Sequence, residues 1–272
     1  MMAVLRIFSY LPNPRIWKAT IAARLVGVEV EVRGAKSAEL AQWLWDFEAR
    51  PLSEAERVER GDLARVGRVG FRGTSILKTE AFLDAHPFGT VPAAFGPDGD
   101  VGIFESNSIM RAVARLGGPQ STLYGRDPYE ASRIDSFLDA GLVFARDGQH
   151  YLLALRGQAV SAETHARARD AFQIYLAGIE RALAPAREAI VGDTLTLADI
   201  CFATELALFA NERIQQDVLA REGLAQAWDG AVEAAHPRAF AHFSRLRRHP
   251  AFAPDMAAYL DKLEQRSAPA PA

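Results

Sequence analysis

Cysteine and long apolar segments are both scarce in this 272-residue chain. The single cysteine, Cys201, excludes an internal disulfide and, with an N-terminus too short and strand-like for a signal peptide, predicts a cytoplasmic protein. No apolar run reaches the roughly 18 residues that a membrane-spanning helix needs, so no membrane association is expected. The net charge of −3 argues against nucleic acid or an anionic membrane as the main partner.

The first part of the chain has an α/β pattern. Residues 4–10 predict a strand, 15–26 a helix that ends at Gly27, and 28–32 a second strand, which together indicate a parallel β-α-β unit. An insertion at about 35–77 follows, with two tryptophans and helical character over 53–68. Its tryptophans are expected to anchor it to the domain, although lining a ligand cleft or a subunit interface is an alternative.

A short helix over 78–85, a β-hairpin and a helix over 106–116 complete the α/β pattern, and a linker follows at 119–127. After the linker, the pattern is helical throughout. We therefore expect an N-terminal domain over 1–118, an all-helical domain over 127–265 and a disordered tail over 266–272.

Two motifs flank the predicted hairpin. Val91-Pro92 enters its first strand, and a cis peptide bond there would turn the backbone N–H and C=O beside it outward, toward an extended peptide ligand. A trans proline that simply opens a strand is the alternative. Glu105-Ser106 lies where the second strand passes into a helix, so the carboxylate suits an ammonium group and the hydroxyl, with the helix N-terminus, suits a carboxylate. The alternative is that Ser106 only caps its helix.

The loop after the first strand offers hydrogen-bond donors in Ser9, Tyr10 and Asn13. A thiol with a pKa of about 8.5 is mostly protonated at neutral pH, and a donor aimed at sulfur favours the thiolate. Asn13, just before the first helix, is the preferred donor, with a turn or helix-cap role as the alternative. Lys18 is expected either to add positive field or to be a solvated surface lysine.

Other motifs have a structural interpretation. Thr196 and Asp199 are spaced as a capping box at the start of a helix, so their replacement should reduce stability rather than activity. Cys201 lies in the apolar run after that box and is predicted to belong to the core. The histidines lack the spacing of metal ligands, so no metal site is predicted.

Taken in order, these motifs resemble the cytosolic glutathione transferase superfamily, and within it the transferase-like domain of the elongation factor 1 gamma subunit. The resemblance rests on residues 13–19, 78–83, 87–93, 104–109, 192–200 and 249–252. It implies an α+β fold in which a thioredoxin-like α/β domain with an insertion precedes an all-α domain.

The resemblance also implies roles for individual residues. Val91, before Pro92, would pair by its backbone with the cysteinyl part of glutathione, Glu105 and Ser106 would bind the γ-glutamyl end, and Lys78 would approach the glycine carboxylate. Asn13 stands where many members have a catalytic Ser or Cys, which disfavours thiol-disulfide chemistry. The electrophile pocket would lie between the domains, with four contacts from one long helix: Phe137, Phe144, Arg146 and His150.

The function implied by the resemblance is a glutathione transferase, in which the glutathione thiolate attacks an electrophilic carbon of a hydrophobic or aromatic substrate. Detoxification, or cleavage of β-aryl ethers of lignin-derived phenolics in aromatic catabolism, is a specific case. Glutathione is the expected cosubstrate, and the expected assembly is a homodimer or a heterodimer with a paralogous chain. The alternative is a non-catalytic scaffold or interaction subunit.

Overall fold

Strands and helices alternate through the first of two compact units, Met1–Ser121 and Thr122–Ala272. The structure is a computed structural model that describes residues 4–67 and 71–267. In chain order the strands of the first unit are β1 (Leu5–Tyr10), β2 (Val30–Ala35), β3 (Trp43–Trp45), β4 (Arg50–Pro51), β5 (Ala64–Val66), β6 (Ser75–Lys78), β7 (Ala93–Phe95) and β8 (Gly102–Phe104). Its α-helices are α1 (Pro14–Val26), α2 (Glu54–Glu59), α3 (Glu80–Ala85) and α4 (Ser106–Leu116).

The main sheet has the strand order β2-β1-β7-β8. Strand β1 is parallel to β2 and antiparallel to β7, and β7 is antiparallel to β8. The register sets Phe8, Ala93 and Phe104 side by side on three neighbouring strands. The chain therefore leaves β1 and β8, and enters β7, at the same edge of the sheet.

The insertion forms a sheet of its own, with the order β4-β3-β6-β5. Only part of the stretch predicted as helical is helical, because α2 and a short 3-10 helix at Gly61–Leu63 are followed directly by β5. Strand β5 pairs antiparallel with β6, so Ala64 lies opposite Leu77, and this tertiary pairing overrides the local helical preference.

Trp45 anchors the insertion to the main sheet. Its side chain is buried and makes edge-to-face contacts with Phe8, Phe71 and Phe82 at ring-centroid distances of 5.4, 5.3 and 6.0 Å. Its indole N–H donates to the carbonyl of Leu40 at 3.0 Å, so the ring's polar atom is satisfied as well. The anchoring predicted for the insertion tryptophans is what Trp45 provides.

The second unit is helical in its described part. Its helices are α5 (Pro128–Arg156), α6 (Ala162–Ala182), α7 (Leu197–Phe209), α8 (Gln216–Arg221), α9 (Gly230–Ala235), α10 (Pro237–Arg248) and α11 (Ala253–Ser267). Helix α6 ends at Ala182, and Pro185 explains why it cannot continue, since proline lacks the N–H that a helix interior needs. The capping box of Thr196 and Asp199 is present, and Cys201 is buried. Of the predicted disordered tail, residues beyond Ser267 lie outside the described part.

Candidate functional site

The site predicted around Val91 lies at the edge of the main sheet where β1 and β8 end and β7 begins. The Val91–Pro92 peptide bond is cis. Extending the β1–β7 register by two residues places Tyr10 beside Val91, and both pack against one aromatic core cluster while remaining partly exposed. The backbone of Val91 and the loop after β1 therefore share one edge.

Glu105 connects β8 to α4 in a backbone conformation that non-glycine residues rarely adopt. Its φ is 66° and its ψ is 124°, and its side chain is exposed. It occupies the cap position of α4 but makes no side-chain capping hydrogen bond, and Ser106 is the first helical residue. The alternative in which Ser106 only caps the helix is thus not what the structure shows. A helix N-terminus without a side-chain cap is suited to an anionic ligand group.

Lys18 lies behind this helix N-terminus rather than at the loop after β1. It is 1% exposed, and its ammonium donates to Ser106 Oγ at 3.3 Å and to Asn107 Oδ1 at 2.8 Å. Lys18 is therefore not a solvated surface lysine, and the positive field expected of it does not act on the loop after β1. Its charge instead adds positive potential at the start of α4, and Ser106, which accepts from Lys18, keeps its own proton to donate.

Asn13 and Ser9 hydrogen bond to each other inside the unit. Asn13 Oδ1 accepts from the Arg15 N–H at 3.0 Å, which makes Asn13 the cap of α1, and Asn13 Nδ2 donates to Ser9 Oγ at 3.1 Å. Asn13 is 1% exposed and Ser9 is 0% exposed. The cap role weighed for Asn13 is therefore present in the structure. Of the three predicted donors, Tyr10 is the one with a partly exposed side chain.

Lys78 is also buried, at the end of β6. Its ammonium donates to the carbonyl of Gly89 at 2.6 Å and lies 5.0 Å from the centroid of the Trp45 ring. Gly89 has a φ of +57°, and a Cβ there would approach Leu83 to 2.9 Å and the Lys78 ammonium to 3.3 Å. The positive φ favours glycine at this turn, whereas the atoms that a Cβ would meet belong to the ends of flexible side chains.

His86 is a site-supporting residue that the sequence patterns did not indicate. Its ring stacks on Phe104 with a centroid distance of 4.7 Å, and its Nε2 accepts from the Thr90 N–H at 3.2 Å, which holds the loop that leads to Val91. Its Nδ1 is buried without a hydrogen-bond partner among the described residues. The sequence signal at this position, the His-Pro pair at 86–87, indicates only a turn and does not identify Phe104 as the ring on which His86 stacks.

Burial lowers the pKa of His86 to about 4 from its ordinary value of 6.5. The folded chain thus prefers neutral His86, and the stability linked to it is present above about pH 6.5 and lost as the pH falls toward 4. We expect the free energy of unfolding to fall by about 2 kcal/mol from this group between about pH 7 and pH 5. Chemical denaturation of His86→Gln at both pH values should lack this component. The exposed His150→Gln should retain it, and an equal loss in His86→Gln and the wild type would contradict the assignment.

The four predicted electrophile contacts on α5 do not lie together. Phe137 and Phe144 line a groove of about 470 Å³ between α5 and α6, and Phe144 is buried and stacked on Tyr175 at 5.1 Å. Arg146 and His150 are exposed and do not line the groove, and they fall on a different side of the helix.

Among the described residues, no group of three or more His, Cys, Asp or Glu side chains is placed to hold a metal ion. Nor is any described helix long and apolar enough to cross a membrane.

Comparisons with known proteins give the architecture a name. No family model matches the chain. It is 29% identical over 206 residues to the glutathione S-transferase-like protein LUC7 of a Fusarium species, which covers 74% of this chain and 75% of that protein. A glutathione S-transferase structure from Methylobacterium radiotolerans, in complex with glutathione sulfonate, superposes with a TM-score of 0.59 over 93% of this chain and 94% of that chain at 20% identity.

The chain has the glutathione S-transferase fold. The predicted resemblance to that superfamily and the predicted fold class are both confirmed. Elongation factor 1-gamma of Trypanosoma cruzi is also similar, with 34% identity over 122 residues, or 44% of this chain. The match spans only 28% of that factor's length.

Proposed function

We propose that this protein is a glutathione transferase. The observation that carries the proposal is the edge of the main sheet, where the Val91 backbone, the exposed Glu105 carboxylate and the N-terminus of α4 lie on adjacent strand ends. A γ-glutamyl group carries an ammonium and a carboxylate on one carbon, which matches Glu105 on one side and Ser106 with the helix N-terminus on the other. The similar structure with bound glutathione sulfonate supports the same ligand class.

The proposed reaction is nucleophilic attack by the glutathione thiolate on an electrophilic carbon of a hydrophobic or aromatic substrate. For a β-aryl ether of a lignin-derived phenolic, a C–S bond forms as the C–O bond breaks, and the phenolate leaves and takes up a proton. Since Asn13 and Ser9 are buried and bonded to each other, the Tyr10 hydroxyl is the proposed donor to the thiolate. A homodimer, or a heterodimer with a paralogous chain, is part of the proposal, and light scattering of the purified chain tests it.

Binding of glutathione should depend on Glu105. Replacing it by alanine removes a charge-assisted contact to the γ-glutamyl ammonium, so we expect affinity to fall about tenfold to a hundredfold in isothermal titration calorimetry. Ser106→Ala should weaken binding as well. The control is Asp98→Ala, which removes an exposed carboxylate from the opposite end of the same hairpin and should leave affinity unchanged.

Turnover separates the enzyme from the alternative, a non-catalytic scaffold or interaction subunit. Glutathione consumption is measured with a panel of aryl ethers, haloaromatics and peroxides, using the chain alone and with a paralogous chain. Consumption that falls in Tyr10→Phe without a matching loss of affinity supports the transferase. Glutathione binding with no consumption of any electrophile in either setting favours the scaffold, and no binding at all would sink the proposal.

A further inference from the structure

The insertion encloses the end of the site at which a glycyl carboxylate would be expected to bind Lys78. Strand β3 runs parallel to β6 so that Trp45 lies beside Lys78, and the lysine is only 4% exposed. Its ammonium is held between the Trp45 ring and the Gly89 carbonyl. The Lys78 ammonium, to which the resemblance assigns the glycine carboxylate of the ligand, therefore interacts with groups of the protein itself.

As bounded by the described residues, the space left beside Lys78 is too small for a ligand group. The cavity bounded by Trp45, Phe71, Lys78 and the loop 89–91 has a volume of about 10 Å³. A single water molecule already needs about 10–15 Å³ measured in this way. A glycyl residue with its carboxylate therefore does not fit between the described part of the insertion and Val91.

The wall of this cavity is built into the core of the unit. Trp45 is fixed by its hydrogen bond to Leu40 and by its edge-to-face contact with Phe71. On the opposite side, the carbonyl of Gly89, a residue with a positive φ, accepts from the Lys78 ammonium at 2.6 Å and holds the loop against it. Opening the cavity would require separating aromatic rings that are buried together.

We infer that the site recognises the γ-glutamyl-cysteinyl part of its thiol and makes no use of the C-terminal glycine. Trp45 and Phe71 of the insertion are the residues that set this specificity, because they occupy the space next to Lys78. The inference rests on the proposed function and narrows its thiol to the class of γ-glutamyl thiols, of which γ-glutamylcysteine is the smallest. Glutathione binds with its glycyl residue outside the enclosed end.

Paired titrations test this inference. The full-length chain is titrated with glutathione and with γ-glutamylcysteine, and we expect γ-glutamylcysteine to bind at least as tightly, within about threefold. Phe71→Ala opens space beside Lys78 and should shift the affinity ratio toward glutathione by about fivefold or more. The control is Phe88→Ala, which removes an aromatic ring that is 61% exposed and does not line the cavity, and its ratio should match that of the wild type.

Because both thiols are measured on the same variant, a partial loss of folded protein cancels in the ratio. Glutathione binding about tenfold more tightly than γ-glutamylcysteine to the wild type would overturn the inference and leave the proposed function standing. An unchanged ratio in folded Phe71→Ala contradicts the role of the insertion. Failure of both thiols to bind overturns the inference and the proposed function together.

Discussion

Replacement of Glu212 by alanine is expected to lower the free energy of unfolding by about 5 kcal/mol. The carboxylate is fully buried and accepts three hydrogen bonds: from the Tyr151 hydroxyl at 2.6 Å, the Ala227 N–H at 2.7 Å and the Trp228 N–H at 2.9 Å. Each buried donor left without its acceptor costs about 1–3 kcal/mol. Burial raises the pKa of Tyr151 above its ordinary value, so the phenol remains a donor.

Denaturant unfolding followed by circular dichroism measures the loss. Glu222→Ala removes an exposed carboxylate from the same region and should change stability by no more than about 0.5 kcal/mol. Glu212→Gln keeps one carbonyl acceptor and should fall between the two, so the effect stays measurable if the alanine variant does not fold. A loss under about 1 kcal/mol in a folded Glu212→Ala would show that water replaces the carboxylate.

Asp199→Ala should cost about 4 kcal/mol, the second-largest loss we expect. Asp199 is fully buried and accepts from the backbone N–H groups of Ile190 at 2.9 Å and Thr196 at 2.8 Å, and from His242 Nε2 at 2.8 Å. Arg245 donates to His242 Nδ1 at 2.8 Å, so the proton of the neutral imidazole is on Nε2 and points at the carboxylate. The substitution removes the capping box and leaves a buried imidazole N–H unpaired.

The matched control for Asp199 is Asp193→Ala, because Asp193 lies in the preceding turn with a side chain that is 72% exposed. We expect it to change the thermal unfolding midpoint by about 1–2 °C at most, against about 8 °C or more for Asp199→Ala. Equal midpoints for the two variants would contradict the structural role of the Asp199 network. Glutathione affinity in the folded fraction of Asp199→Ala should be unchanged.

These two carboxylates show what a sequence can reveal. The sequence predicts the role of Asp199 because its capping partner, Thr196, is three residues away, and helix caps are local patterns. It does not predict the role of Glu212, because the partners of that carboxylate are 61, 15 and 16 residues away and no short pattern joins them. Both side chains do the same physical work, which is to accept hydrogen bonds from buried backbone and side-chain donors.

The residues of the candidate site also fall into two groups, those that local sequence patterns predict and those that they do not. The hairpin with Val91-Pro92 and Glu105-Ser106 was predicted, since turns, strand ends and helix starts have local signals. The positions of Lys18 and Lys78 were not, because Lys18 bonds to residues 88 and 89 positions further along the chain, and Lys78 is enclosed by a sheet of very short strands. Strands of two to four residues are too short for a period-2 pattern to be read with assurance.

The aligned ends of β1, β7 and β8 have a consequence for how this molecule changes over evolutionary time. The ligand contacts proposed for that edge include main-chain groups whose positions follow from strand register, and register survives many exchanges of side chains that keep the buried face apolar. Exchanges of side chains along these strands can therefore leave the main-chain groups at Val91 and at the start of α4 in the same places.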